Sequence, residues 1–390
     1  MTLERYDAVL VGGGLHNGLI ALSMLTERSD LRIALVEQRE RLGGQHTWCF
    51  HAGDLPESAA RFVEPLIEHR WAGYEVRFPG FGRQLSSPYA GFSSEKLHAV
   101  LTERLEAHPD CSLLLGCAVG AVHSDHVLLA DGRKIQGKLV IDGRGSERPA
   151  AEGEGGFQVF VGQELQLLEP HGLEHPILMD ARIPQKGGYR FFYVLPLAED
   201  RVLIEDTRFS DSPKLHSDAL RSGIADYCAA EGYQVSKVLR EEEGVLPMPW
   251  TGENPRPELS PLRVGYEGGW MHPATGYSFP IAARLANLIG HLGPEACLGP
   301  ELRSFAKAHA RQLRFARLLN RLLFRWFEPE RRLSVFERFY HLPQARIRRF
   351  YALQMTLTDR LRMIAGRPPR GFSLRARLKT RERSHEPAGL

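Results

Sequence analysis

Short, almost wholly apolar runs at residues 6–11, 31–36 and 139–141 have the pattern of strands buried on both faces. A helical period follows the first run at residues 19–25, and another spans residues 281–292. The middle of the chain behaves differently. Residues 157–162, 188–197 and 201–207 have the composition of strands, the second carrying Tyr189, Phe191, Phe192 and Tyr193, and a helical segment is predicted over residues 214–230. In the third of these strands, alternation puts Val202, Ile204 and Asp206 on one face and Leu203, Glu205 and Thr207 on the other. The last third is helical by period: Phe315, Leu318, Leu319, Leu322 and Trp326 form one stripe, and Arg314, Arg317, Arg321 and Arg325 precede its members by one position, about 100° round the helix.

Between the first apolar run and its helix lies Gly12-Gly13-Gly14-Leu15-His16-Asn17-Gly18. Glycines 12 and 14 let the backbone turn sharply and approach a pyrophosphate, which the helix N-terminus attracts. Asn17 stands where the third glycine of a GxGxxG motif is usual. The second run ends in Glu37, about 20 residues beyond the turn, where a carboxylate can hold ribose hydroxyls. Strand, turn, helix, strand and acid together predict dinucleotide binding. Three further segments favour a flavin: Arg41-Leu42-Gly43-Gly44-Gln45 after the ribose acid, Asp142-Gly143 at the end of a returning strand, and His272-Pro273-Ala274-Thr275-Gly276-Tyr277 before a helix whose N-terminus can face the flavin. The expected fold is α/β, with a Rossmann-type FAD-binding domain of the flavoprotein hydroxylase-like class, discontinuous over residues 1–150 and 260–300. A strand-rich substrate domain is inserted at residues 151–259, a basic amphipathic helical region covers 301–370, and a disordered tail covers 371–390.

Composition alters this frame in one respect. With 43% hydrophobic and 25% charged residues, the 390-residue chain can bury a large core. Its net charge of +3 hides an asymmetry, since residues 303–370 hold 16 Arg and one Lys against four acids. A basic, amphipathic helical region suits the anionic surface of a membrane, with arginines at the phosphates; the bland reading is a helix packed on the body. Nucleic acid is not expected, because no binding module accompanies the charge. Five scattered cysteines, with no CxxC pair and no metal-ligand spacing, favour a reducing cytoplasm and no metal site. No leader and no spanning segment is expected, which makes the protein cytoplasmic and, through its basic helices, peripheral to the membrane.

Glu205 and Asp206 are the candidate chemistry. An acid beside an aromatic strand suits proton transfer in an apolar pocket, and opposite facing means that only one of the two can dominate it. The same pair also fits a solvated strand end.

The motifs together resemble the bacterial lycopene β-cyclases, a flavin-dependent family of carotenoid cyclases. The resemblance extends to about residue 365. It rests on the turn at residues 12–22, His46-Thr47-Trp48-Cys49-Phe50-His51, Asp142-Gly143-Arg144-Gly145, Met179-Asp180-Ala181, Gly188-Tyr189-Arg190-Phe191, Leu203-Ile204-Glu205-Asp206-Thr207 and residues 272–278. Cys49 departs from the serine of the family's stretch. The resemblance implies redox-neutral cyclisation of lycopene, through γ-carotene, to β-ionone-ended carotenoid, with FAD needed in its reduced form and NAD(P)H as its reductant. It also implies that Glu205 is the proton donor and Asp206 its supporting residue. The implied cofactor-binding residues are Gly12, Gly13, Gly14, Leu15, Asn17, Glu37, Gly43, Gly44, Asp142, Gly143, Gly276 and Tyr277. Two other readings suit the same frame: a flavin monooxygenase or prenyl reductase, which needs no acid at residue 205, and a non-catalytic flavoprotein that binds carotenoid or membrane.

Overall fold

The first apolar run forms the strand Arg5–Val11, with residues 8–10 fully buried, and it lies at the centre of a seven-stranded sheet. Ile33–Val36 and Lys134–Asp142 flank it in parallel, and Leu262–Arg263 adds a short parallel strand beyond the latter. The sheet continues antiparallel through His126–Leu129 to Val119–Val122. The computed structural model describes residues 5–145, 153–185, 188–257 and 260–365. The expected tail at 371–390 and the end of the basic region at 366–370 lie outside them.

The helix Leu15–Glu27 starts directly from the glycine turn and packs against Phe279–Ala296 in the largest core cluster. Close approach of these helices needs small residues, and a Cβ at Gly290 would lie 2.3 Å from Ser23 Oγ. Ser94–Glu106 covers the same side, its N-terminus capped by the Ser93 hydroxyl, which accepts from Lys96 N at 3.2 Å.

The middle of the chain builds a second seven-stranded sheet in the order Val235–Pro249, Gly155–Leu167, Arg201–Ser210, Tyr189–Ala198, Ile177–Asp180, Tyr74–Phe78, Phe81–Leu85. Two differences from the sequence reading follow. The last two strands come from residues 74–85, within the stretch assigned to the nucleotide domain, because Tyr74 and Val76 alternate into the second core. The edge strand Val235–Pro249 is the second difference: its first five residues are exposed, and their apolar members Val235, Val238 and Leu239 do not alternate as a strand face would. One face of this sheet is covered by Ser217–Glu231, which packs Leu220, Ile224 and Tyr227 on Val202, Ile204 and Phe192. The other face meets the C-terminal helices, where Phe324, Tyr340 and Ile347 join Tyr189, Phe191 and Phe209.

The helix Pro300–Trp326 differs from its expected orientation. Its buried face is Leu302, Ala306, His309, Leu313, Ala316, Asn320, Leu323 and Phe324, whereas the expected stripe is half-buried or exposed. Arg317 donates to Asn254 and to the carbonyl of Glu253, and Arg325 lies over the Trp250 ring at 5.1 Å, so half of the basic stripe is engaged by the protein's own body. Arg314 and Arg321 stay exposed. Among the described residues no helix is long and apolar enough to cross a membrane.

Candidate active site

A cavity of about 620 Å³ lies between the inner face of the second sheet, the residues 274–279 and the C-terminal helices. Its walls are aromatic: Tyr89, Phe191, Tyr193, Phe209, Phe339 and Tyr351 all line it. Strand register places four residues in one row across the sheet, Tyr193 opposite Glu205, Glu205 opposite Gly162, and Gly162 opposite Glu242. Glu205 and Glu242 both line the cavity.

Glu205 is 9% exposed, and its carboxyl accepts a hydrogen bond from the Thr207 hydroxyl. Burial pushes it up to about 8, against Thr207's opposing pull, with the charges of Glu242 and Asp206 adding to the rise. Asp206 is fully buried on the opposite face, where it takes Arg190 Nε at 2.9 Å and Nη2 at 2.6 Å. The expected opposition of the two carboxylates is therefore the observed geometry, and Asp206 faces the outer helix rather than the cavity. A Cβ at Gly223 of that helix would lie 2.3 Å from Asp206 Oδ2, so the pair needs this glycine.

Glu242 is the carboxylate that sequence reasoning missed. Its Oε2 accepts from Thr47 Oγ1 at 3.0 Å and from Arg240 Nη1 at 2.8 Å. Burial raises its carboxyl, while Arg240 and Thr47 pull it back. The signal was present in Glu241-Glu242-Glu243, where alternation turns the middle acid away from its neighbours, but it required the unread edge strand. Cys49 also lines the cavity, beside the hydroxyls of Tyr193 and Tyr89, and burial pushes its thiol up to about 12. Asp54 is a further buried acid, behind the cavity wall. Tyr277 donates to it at 3.3 Å, and burial raises it to about 7.

The glycine turn fits a dinucleotide. Gly12 has φ +89°, and a Cβ there would lie 3.0 Å from the backbone of Gly143 and Arg144. Gly14 is the N-cap of Leu15–Glu27, no side chain caps that helix, and a Cβ on Gly14 would meet nothing within 4 Å. Open space before uncapped N–H groups is a cradle for a pyrophosphate. Leu15 is buried, so only its backbone can contribute. Glu37 accepts from Gly13 N at 2.7 Å and Arg39 N at 2.9 Å, which fixes its carboxylate beside the turn. Asn17 donates instead to the carbonyls of Val11 and Gly12, at 2.8 and 2.9 Å, so it braces the turn in place of the third glycine. Gly43 N bonds to Gly13 O at 2.9 Å and, with Gly44, takes positive φ, docking this loop on the turn. Asp142 is held by Arg144, and Gly143 N donates to Val11 O at 2.8 Å. At the cavity end, Gly276 has φ +68° and, with Tyr277, lines the wall where the helix Phe279–Ala296 begins.

Solved structures place this architecture in a class. A geranylgeranyl bacteriochlorophyll reductase-like protein from Thermoplasma acidophilum superposes with a TM-score of 0.60 at 13% identity, over 98% of this chain and 97% of its own. A probable FAD-dependent monooxygenase from Pseudomonas aeruginosa superposes with a TM-score of 0.55 at 16% identity, over 90% and 98%. The fold is that of the flavoprotein hydroxylase-like class. A family model described as "Lycopene cyclase protein" matches residues 7–377. The lycopene beta-cyclase of Pantoea ananas is 43% identical over 94% of this chain and 95% of its own, and that of Pseudescherichia vulneris 41% over 93% and 94%. The chain belongs to the lycopene cyclase family, enzymes of the intramolecular lyase class.

Proposed function

We propose that this protein cyclises the linear ψ ends of lycopene to β-ionone rings, giving β-carotene through γ-carotene, with Glu205 as the proton donor. The observation that carries the reading is the Glu205 carboxyl, buried on the wall of an aromatic cavity. A free glutamic acid is almost wholly ionised at neutral pH and is a poor donor to an alkene. Burial that raises Glu205 to about 8 keeps the proton in place. Protonation at the terminal double bond leaves a tertiary cation, the neighbouring double bond attacks it to close the ring, and loss of a ring proton restores neutrality. The faces of Phe191, Tyr193 and Phe209 can stabilise the passing cation by roughly 0.5–2 kcal/mol each, and their apolar edges keep water from trapping it.

FAD is the cofactor of this reading, reduced by NAD(P)H. Gly12, Gly13, Gly14 and the Leu15 N–H would hold its pyrophosphate, Glu37 its ribose, and Gly43, Gly44, Asp142, Gly143, Gly276 and Tyr277 the path to its ring system. When bound and reduced, it supplies a fixed negative charge that favours cationic chemistry without net electron transfer. Asp206 supports the donor indirectly, since its ion pair with Arg190 fixes the strand that carries Glu205.

Lycopene partitions into bilayers, so the enzyme of this reading collects it from a membrane surface. Exposed Arg314 and Arg321 supply charge for that contact. Leu357 and Leu361, 74% and 63% exposed, present apolar side chains on the helix Leu357–Ile364, whose end lines the cavity through Arg362, Met363 and Ile364. Expression in cells that accumulate lycopene tests the reading. β-Carotene is expected, whereas an oxygenated or saturated product would support a monooxygenase or reductase, and unchanged lycopene a non-catalytic binder.

A further inference from the structure

Glu205 and Glu242 project from two strands that flank Gly162, on the same face of the sheet and into the same cavity. Gly162 leaves the space between them open: a Cβ there would lie 3.2 Å from Glu242 Cγ, 3.5 Å from Glu242 Oε1 and 3.5 Å from Glu205 Cβ. The two carboxyls differ in their partners. Glu205 has a single neutral donor, Thr207, on Oε1. Glu242 has a guanidinium and a hydroxyl, both on Oε2. Among the described residues, Glu205 Oε2 and Glu242 Oε1 accept no hydrogen bond. Two carboxyls in one apolar site favour a state with a single proton between them, and the ion pair with Arg240 decides which one gives it up.

We propose that Glu242 is the base that removes the ring proton, and that it returns this proton to Glu205 across Gly162. The proposal rests on the cyclase reading above. In the forward step the Glu205 O–H bond breaks and a C–H bond forms at C2 of the ψ end, leaving the cation at C1. The C5–C6 π bond then forms the C1–C6 bond and moves the cation to C5. The C6–H bond breaks, its electron pair restores the C5–C6 double bond, and the proton passes to the Glu242 carboxylate. Transfer from Glu242 to the ionised Glu205 resets the site, so protons balance with no external acid, base, oxidant or reductant. The position of the base then selects the product, because loss from C4 or from the methyl on C5 would give ε or γ rings in place of β.

Glu242 also joins Thr47 to Arg240, and a purely architectural role would leave ring type untouched. The test is expression of the full chain, Glu205→Gln, Glu242→Gln and Glu242→Asp in lycopene-accumulating cells, with ring types resolved chromatographically and flavin content measured on each purified protein. The proposal predicts that Glu242→Gln lowers cyclisation about a hundredfold, the range of a lost general base, and that its residual product is enriched in ε or γ rings. Glu242→Asp, with the carboxylate drawn back by one methylene, retains more activity but also yields mixed rings. If Glu242→Gln does not fold, the aspartate variant decides alone. Full activity with β rings only in the variants that fold, or equal loss of all ring types with unchanged ratios, overturns the proposal. Failure of the wild type to cyclise, or full activity in Glu205→Gln, would instead overturn the reading on which it rests.

Discussion

Glu205 and Asp206 are neighbours in sequence with opposite tasks, and substitution separates them. Glu205 binds a proton in the folded chain up to about pH 8, whereas its ordinary value is 4.5. Between those values the folded state holds a proton that the unfolded state releases, so stability falls as pH rises through this window, by at most about 1.4 kcal/mol per pH unit. Glu205→Gln removes that loss. Thermal melts should show the variant gaining stability relative to wild type from pH 5 to pH 8, while a rate profile of the wild type should fall as pH rises through about 8, where the donor loses its proton. Substitution of Asp206 acts through its ion pair instead. Asp206→Ala leaves the half-buried Arg190 guanidinium without its fully buried partner, and denaturant unfolding should show a loss of about 3 kcal/mol, the low end for a broken buried pair. Inactivity of that variant would then follow from the fold.

At the scale of elements, the glycine turn makes a cleaner separation than any whole-domain deletion. Gly12→Ala meets both positive φ and contact with the backbone of residues 143–144, so it should reduce folded yield. Gly14→Val adds its side chain to open space at an uncapped helix N-terminus. It should fold and retain at least tenfold less FAD after gel filtration, read by flavin absorbance. The turn, its helix and Glu37 were legible in sequence because strand, glycines and acid keep their order along the chain. The opposite facing of Glu205 and Asp206 was legible from period-2 alternation, but not which of the two meets the cavity. Glu242 was not legible, because the exposed start of its strand carries Val235, Val238 and Leu239 out of period-2 alternation, so no strand pattern marks it. The long helix Pro300–Trp326 was legible as a helix but not in its facing. It carries two apolar stripes, one for the body through Leu313, Ala316 and Leu323 and one along the cavity through Leu319, Leu322 and Trp326, and periodicity alone does not rank them. Buried Arg332, paired with Asp211 and lying over Phe324 at 4.4 Å, likewise has no sequence signal, since its partner lies 121 residues away.

At the scale of the whole molecule, the second sheet separates an outer ion-paired face from an inner aromatic cavity, and the C-terminal helices close that cavity. Membrane contact belongs to this scale. Arg314→Gln with Arg321→Gln should weaken binding to anionic liposomes without loss of melting temperature, and Leu357→Ser with Leu361→Ser should weaken it in neutral liposomes as well; co-sedimentation checks both. Adding Arg317→Gln and Arg325→Gln should also lower stability, because these two are held by residues 250–254. Unchanged sedimentation in all variants would remove the C-terminal helices from the account of substrate capture. The central claim, that a buried protonated carboxyl on an aromatic wall starts ring closure, is tested most directly with purified protein, reduced FAD and lycopene in liposomes. Comparison of the wild type with Glu205→Gln at matched flavin content should show at least a hundredfold loss of β-ring formation. Cyclisation by the variant within about threefold of wild type would contradict it.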